Sequence, residues 1–179
     1  MATQKGPEEH LVCFDDSGNP ATSQIRSVVH NKPLQVWHGI TNIWIMNSRR
    51  EILCTHRSTL VSGNPGKWQT YVGGHMRSGC NFIQTAVREL SEELGLSIPE
   101  KNFTVFEEGS RDDTKHVYKN YIVLLDMSPS SLDFTDGEMA DARWFSFEGY
   151  QKSREKDPDN WCNSTSYEQY DKILEMLKS

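Results

Sequence analysis

GHMRSGCNFIQTAVRELSEELGL, residues 74–96, sets three carboxylates, Glu89, Glu92 and Glu93, within five positions of a segment whose apolar residues Ile83, Ala86, Val87, Leu90 and Leu94 recur at helical spacing. Asn81 followed by Gln84 marks a helix start, and Gly95 with Pro99 beyond it marks the end. Such a helix buries one stripe, and the spacing predicts the three glutamates together on the other side. On an ordinary surface helix they would be a solvated face. Like charges so placed repel unless a cation sits among them, and hard oxygen ligands select Mg²⁺ or Mn²⁺.

Working outward, Trp68 to Val72 reads as a strand that Gly73-Gly74 follows. Upstream, Leu11 to Asp15 is a short strand, residues 16–20 a turn, Ile40 to Met46 a buried β-branched and aromatic strand, and Asn47 to Arg50 the turn into a returning strand from Glu51 to Arg57. Downstream, strands are expected at Phe103–Glu107, His116–Asp126 and Arg143–Phe147, with polar loops at 109–115 and 128–140. The second loop holds Asp136 and Glu138. A polar stretch, 148–163, either covers the site or links to an amphipathic helix at about 164–178, with Thr165 and Glu168 as its capping box and Tyr170, Ile173, Leu174 and Leu177 as its apolar stripe. Residues 1–9 are expected to fray, leaving 10–179 as a single domain.

The chain has 179 residues, 36% of them hydrophobic, with five Trp, six Tyr and seven Phe, a composition that favours a packed core over disorder. A net charge of −6 and the lack of a basic stripe argue against nucleic acid or membrane surfaces as partners. Four dispersed cysteines without a CxxC pair, behind an N-terminus unlike a signal peptide, point to reduced thiols and a cytoplasmic location.

Residues 74–96 resemble the Nudix box, Gly-x5-Glu-x7-Arg-Glu-apolar-x-Glu-Glu-x-Gly-apolar, at every fixed position but Cys80, where the family has glutamate. An Asp-x-x-Gly turn, Arg26, Val29-His30, His38, Thr55-His56-Arg57-Ser58 and Pro65-Gly66-Lys67-Trp68 further resemble the isopentenyl-diphosphate-isomerase-like branch of that superfamily. The resemblance implies an α/β fold, the Nudix α/β/α sandwich with a mixed β-sheet between helices. It implies Mg²⁺ or Mn²⁺ held by Glu89, Glu92, Glu93 and the carbonyl of Gly74, with Arg88 positioning a carboxylate. The general base would be Glu93 or, from a later loop, Glu138. Arg57, Lys67 and His75 would bind substrate, and His75 with His30 and His38 matches metal-binding histidines of the isomerases. The glutamate missing at Cys80 would brace the loop more than grip metal.

The activity so implied is hydrolysis of a diphosphate linkage in a small molecule, a nucleoside diphosphate-type or related substrate, by water attack at phosphorus. Homodimers are common among such proteins. Two alternatives stand beside it. One is isopentenyl diphosphate isomerisation, against which Gly73 replaces the catalytic cysteine and no acidic pair stands near Thr114–His116. The other is a binding module with weak or no turnover.

Overall fold

The computed structural model describes residues 9–163 and 167–177. Among them nine strands form one mixed sheet around β3 (His38–Met46). β3 runs parallel to β8 (His116–Leu124) on one side, and β8 pairs antiparallel with β7 (Phe103–Arg111). Its other partners are all antiparallel: β1 (His10–Phe14), β4 (Ile52–Arg57) and β6 (Val72–His75). Beyond these lie β2 (Pro20–Ile25) on β1, and β5 (Trp68–Gln69) and β9 (Met139–Phe145) on β4.

Alternation along β3 divides the core. Ile43 and Ile45 face α2 (Phe82–Leu94), packing with Ala86, Leu90, Leu94, Val72, Tyr121 and Val123. Trp44 and Met46 face the other way, onto Ile122, Cys54, Tyr150, Trp161, Tyr170 and Ile173. Tyr150 comes from α3 (Phe147–Lys156), and Tyr170 and Ile173 from α4 (Tyr167–Met176). The molecule is therefore an α/β fold with its sheet held between helices, as the resemblance implied.

Both ends of α2 follow the sequence reading. Asn81 accepts from Gln84 N at 2.9 Å while the Gln84 side chain accepts from Asn81 N at 3.0 Å, and Gly95 closes the helix in the left-handed region at φ 68°. Elsewhere the boundaries move. The expected Trp68–Val72 strand is two short ones, and Gly73 and Gly74 lie inside β6 rather than after a strand. β7 continues through part of the predicted 109–115 loop, and β9 begins at Met139 instead of Arg143. The stretch 148–163 contains most of α3, capped by Ser146 and too polar to show an apolar stripe, with Tyr150 its buried residue. Trp161 is 1% exposed and sits against Trp68, Phe145 and Tyr150, so this stretch builds the second core layer. A short helix, α1 (Arg26–Val29), was also not predicted. Residues 1–8 of the expected frayed end and Thr165 of the expected capping box lie outside the described residues.

Candidate active site

The three glutamates do not all point away from the core. Glu89 is fully buried and Glu93 is 2% exposed, whereas the Glu92 side chain keeps 38% of its surface. Glu89 and Glu93 follow Ala86 by three and seven residues, so helix geometry sets them on the same side as Leu90 and Leu94. Burying a carboxylate is costly unless it is paired. Arg88 supplies a partner: its guanidinium donates to Glu89 Oε1 at 2.7 Å, to Glu92 Oε2 at 3.2 Å and to the His75 carbonyl at 3.2 Å.

Gly74 makes this packing possible. A Cβ there would lie 2.3 Å from Glu89 Oε1, so the bare backbone lets the carboxylate press against β6. Gly74, Arg88, Glu89 and Glu92 are thus brought together, with Glu93 one turn beyond Glu89 on the same helix. The donor set is hard oxygen, the chemistry that a divalent cation of the Mg²⁺ type takes.

A second guanidinium on Glu92 escaped the sequence reading. Arg77, within the box loop, donates to Glu92 Oε1 at 3.1 Å and Oε2 at 3.3 Å, and to Glu9 Oε1 at 2.5 Å. Glu9 Oε2 also accepts from Arg26 at 2.8 Å. Burial pushes the Glu9 carboxyl up, but its bonds from Arg26 and Arg77 outweigh that and hold its pKa below the ordinary value. No local pattern announces this network, because its acidic end lies 68 residues before Arg77.

His75 belongs to a different cluster. The register of β3 with β8 sets His38 opposite His116, and that of β3 with β6 sets His75 opposite Ile40, two residues from His38 on the same face. His30, after α1, completes the group: His30 Nε2 and His75 Nε2 are 3.1 Å apart, and one ligand atom from each of His30, His38 and His75 lies within 4.8 Å of the others. The His116 ring stands edge-on to His38 at 4.7 Å. His38 Nδ1 is 3.0 Å from the Val36 carbonyl, while its buried Nε2 has no hydrogen-bond partner.

Desolvation lowers all four imidazoles, reinforced by Arg26 for His30, His38 and His75 and by neighbouring rings for His30, His75 and His116. His30 and His116 are each pulled down to about 4. Folded pKa values below the unfolded one mean that the unfolded chain binds more protons between about 6.5 and 4. Thermal melting of the metal-free protein is therefore expected to lose stability as pH falls through that window, and Gln at both His30 and His116 should flatten the dependence.

The remaining predicted residues lie elsewhere. Arg57 donates to the Gly63 carbonyl at 2.7 Å and to Gln69 Oε1 at 3.4 Å, and its amide to the Lys67 carbonyl at 2.9 Å, so both residues tie down the 58–67 loop. Glu138 precedes β9, with its carbonyl accepting from Ser58 N at 2.8 Å. Cys80 is partly exposed, one residue before the helix cap, and its amide donates to the Arg77 carbonyl at 3.0 Å. Among the described residues, no helix is long and apolar enough to cross a membrane.

Known proteins share this fold. The chain is 26% identical over 184 residues to Nudix hydrolase 3 of Arabidopsis thaliana, covering 96% of this chain but only 23% of that protein. It is 25% identical over 139 residues to an isopentenyl-diphosphate Delta-isomerase of Escherichia coli, covering 76% of each. In fold it is similar to DR0079 from Deinococcus radiodurans, with a TM-score of 0.67 at 19% identity over 83% of this chain and 90% of the other. It is also similar to the NUDIX domain of Shewanella oneidensis NrtR, crystallised with ADP ribose, at a TM-score of 0.58 and 15% identity over 84% and 96%. The NUDIX domain model matches residues 37–164, which span the whole carboxylate helix and strands β3 to β9, and the chain belongs to that family.

Proposed function

We propose that this NUDIX protein is a metal-dependent hydrolase that splits a diphosphate linkage in a nucleoside diphosphate-type or related small molecule by water attack at phosphorus. The observation that carries the reading is the close approach of the Glu89 carboxylate to the side-chain-free backbone of Gly74, with Arg88 bridging Glu89 to Glu92 and Glu93 one turn further along the same helix. These residues would hold Mg²⁺ or Mn²⁺. Such an ion, when bound, offsets the negative charge of a diphosphate and acidifies a water molecule.

The chain's own groups do the rest. Arg88 fixes the Glu89 carboxylate so that it does not reorganise during reaction. Glu93, held in a dry helix face, takes the proton from the attacking water; Glu138 is the second candidate for that base. Arg57 ends β4 and Lys67 closes the loop that follows, and both are candidates to bind substrate phosphate. ADP ribose, the ligand of the NrtR domain, is itself a diphosphate ester, which supports the substrate class. A screen of diphosphate compounds for released product, with and without Mg²⁺, tests the assignment; no turnover in any class would overturn it.

Cys80 leaves the carboxylate cluster intact. Cys80→Glu is expected to keep kcat equal or raise it, measured on whichever substrate the screen identifies. A large loss would give the thiol a role in turnover.

The isomerase reading gains one observation and loses two. The convergence of His30, His38 and His75 supports a metal position there, as the resemblance implied. Against it, the acidic pair of the isomerases has no match at Thr114 to His116, and Gly73 has no room for the cysteine: a Cβ there would lie 2.1 Å from the Thr41 carbonyl oxygen. No double-bond migration is expected with isopentenyl diphosphate.

A further inference from the structure

The N-terminal segment is stitched to the box. Val12 N donates to the Met76 carbonyl at 2.8 Å, Ser78 N donates to the His10 carbonyl at 2.8 Å, and Leu11 bridges to Arg77. Residues 9–12 thus wall the loop between Gly74 and the helix, although they fall before the residues that the family model matches. Cys80 brings no charge to this loop. The negative partner of Arg77 arrives from Glu9 instead.

The two ends of the Arg77 bridge are unequal. The Glu9 side chain is 10% exposed and pinned by Arg26 as well, and its contact with Arg77 is 2.5 Å. Glu92 is 38% exposed and its contacts with Arg77 are 3.1 and 3.3 Å, longer than the 2.7–2.9 Å usual for charged pairs. Glu9 is therefore the fixed end and Glu92 the end that lets go. If Glu92 turned to a divalent ion, Arg77 would keep Glu9 and Arg88 would keep Glu89, so neither guanidinium would be stranded.

We propose that Arg77 is an internal counter-ion that occupies Glu92 in the metal-free protein and yields it to a divalent cation, and that Glu9 is the positioning residue that draws Arg77 aside. The proposal rests on the reading of Glu89, Glu92 and Glu93 as a metal cradle. It makes the variants at its two ends move in opposite directions. Removing Arg77 takes away a competitor and a positive charge, so the cation binds more tightly. Removing Glu9 leaves Arg77 with Glu92 alone and subtracts a negative charge, so the cation binds more weakly. A plain structural brace would weaken binding from either end.

The test uses Mn²⁺ alone, with no substrate, titrated into the full chain and followed by paramagnetic resonance of free Mn²⁺ and by calorimetry. Thermal melting confirms that each variant is folded. Relative to the unaltered protein, Arg77→Gln is expected to bind about five-fold tighter and Glu9→Gln about five-fold weaker, the scale of one partly exposed ion pair. The double variant should behave as Arg77→Gln, because Glu9 acts only through Arg77. Arg77→Lys, which keeps the charge but loses the fork, should fall between the unaltered protein and Arg77→Gln, and decides the matter should Arg77→Gln fail to fold. Shifts in the same direction, or none, would overturn the proposal. Absence of Mn²⁺ binding by the unaltered protein would instead overturn the cradle on which it rests.

Discussion

Glu93→Gln is expected to lower kcat by at least about 10³-fold, at the upper end of what removal of one preorganised electrostatic group costs. The substitution keeps side-chain volume, so helix α2 should still pack on Ile43, Val72 and Tyr121. What disappears is a negative oxygen able to face a cation or accept a proton. Glu93 is 2% exposed and Gln fills the same space, so the melting temperature should change far less than the rate. A fall in rate without a fall in stability is the signature of a group retained for chemistry. Glu92→Gln should show a comparable fall in rate with a small loss of stability, since Arg77 and Arg88 lose a shared, partly exposed carboxylate. An undiminished rate in both variants would sink the hydrolase assignment.

Gly73→Cys should have its largest effect on stability, a loss of about 3 kcal/mol, at the upper end of what overpacking usually costs. The new Cβ would meet backbone on two sides, the Thr41 carbonyl oxygen at 2.1 Å and Asn42 Cα at 3.0 Å, and neither can swing away as a side-chain tip would. β6 would have to part from β3 along Ile40–Ile43. Denaturant unfolding measures the loss. Gly74→Ala makes an informative contrast, because its Cβ would meet the end of the Glu89 side chain instead of main chain. It should disturb the cradle more than the fold, and a Gly73 variant as stable as the unaltered protein would contradict the close approach of β3 and β6.

Local chemistry was legible in the sequence wherever a short-range rule governed it. The Asn81–Gln84 cap, the Gly95 stop, and the buried strand through Ile43 and Ile45 all follow from residues within a few positions of one another. The orientation of Glu89 and Glu93 was misjudged because charge was allowed to override spacing: counting from Ala86 places both beside Leu90. α3 escaped because its capping serine precedes a run of polar residues with no apolar period. The histidine cluster could be suspected from resemblance, but its assembly depends on two strand registers and spans His30 to His116. The pairing of Glu9 with Arg77 depends on tertiary contact alone.

The stitching of residues 9–12 to the box loop separates what a family shares from what a chain needs in order to fold. A fragment trimmed to the matched residues 37–164 would discard β1, β2 and α1, and with them Leu11 and Val29, which are fully buried. It would also discard α4, whose Ile173 is fully buried in the second core layer. Such a fragment would retain every glutamate of the cradle and still bare one edge of its sheet and part of one face. For this protein the unit of inheritance is smaller than the unit of cohesion.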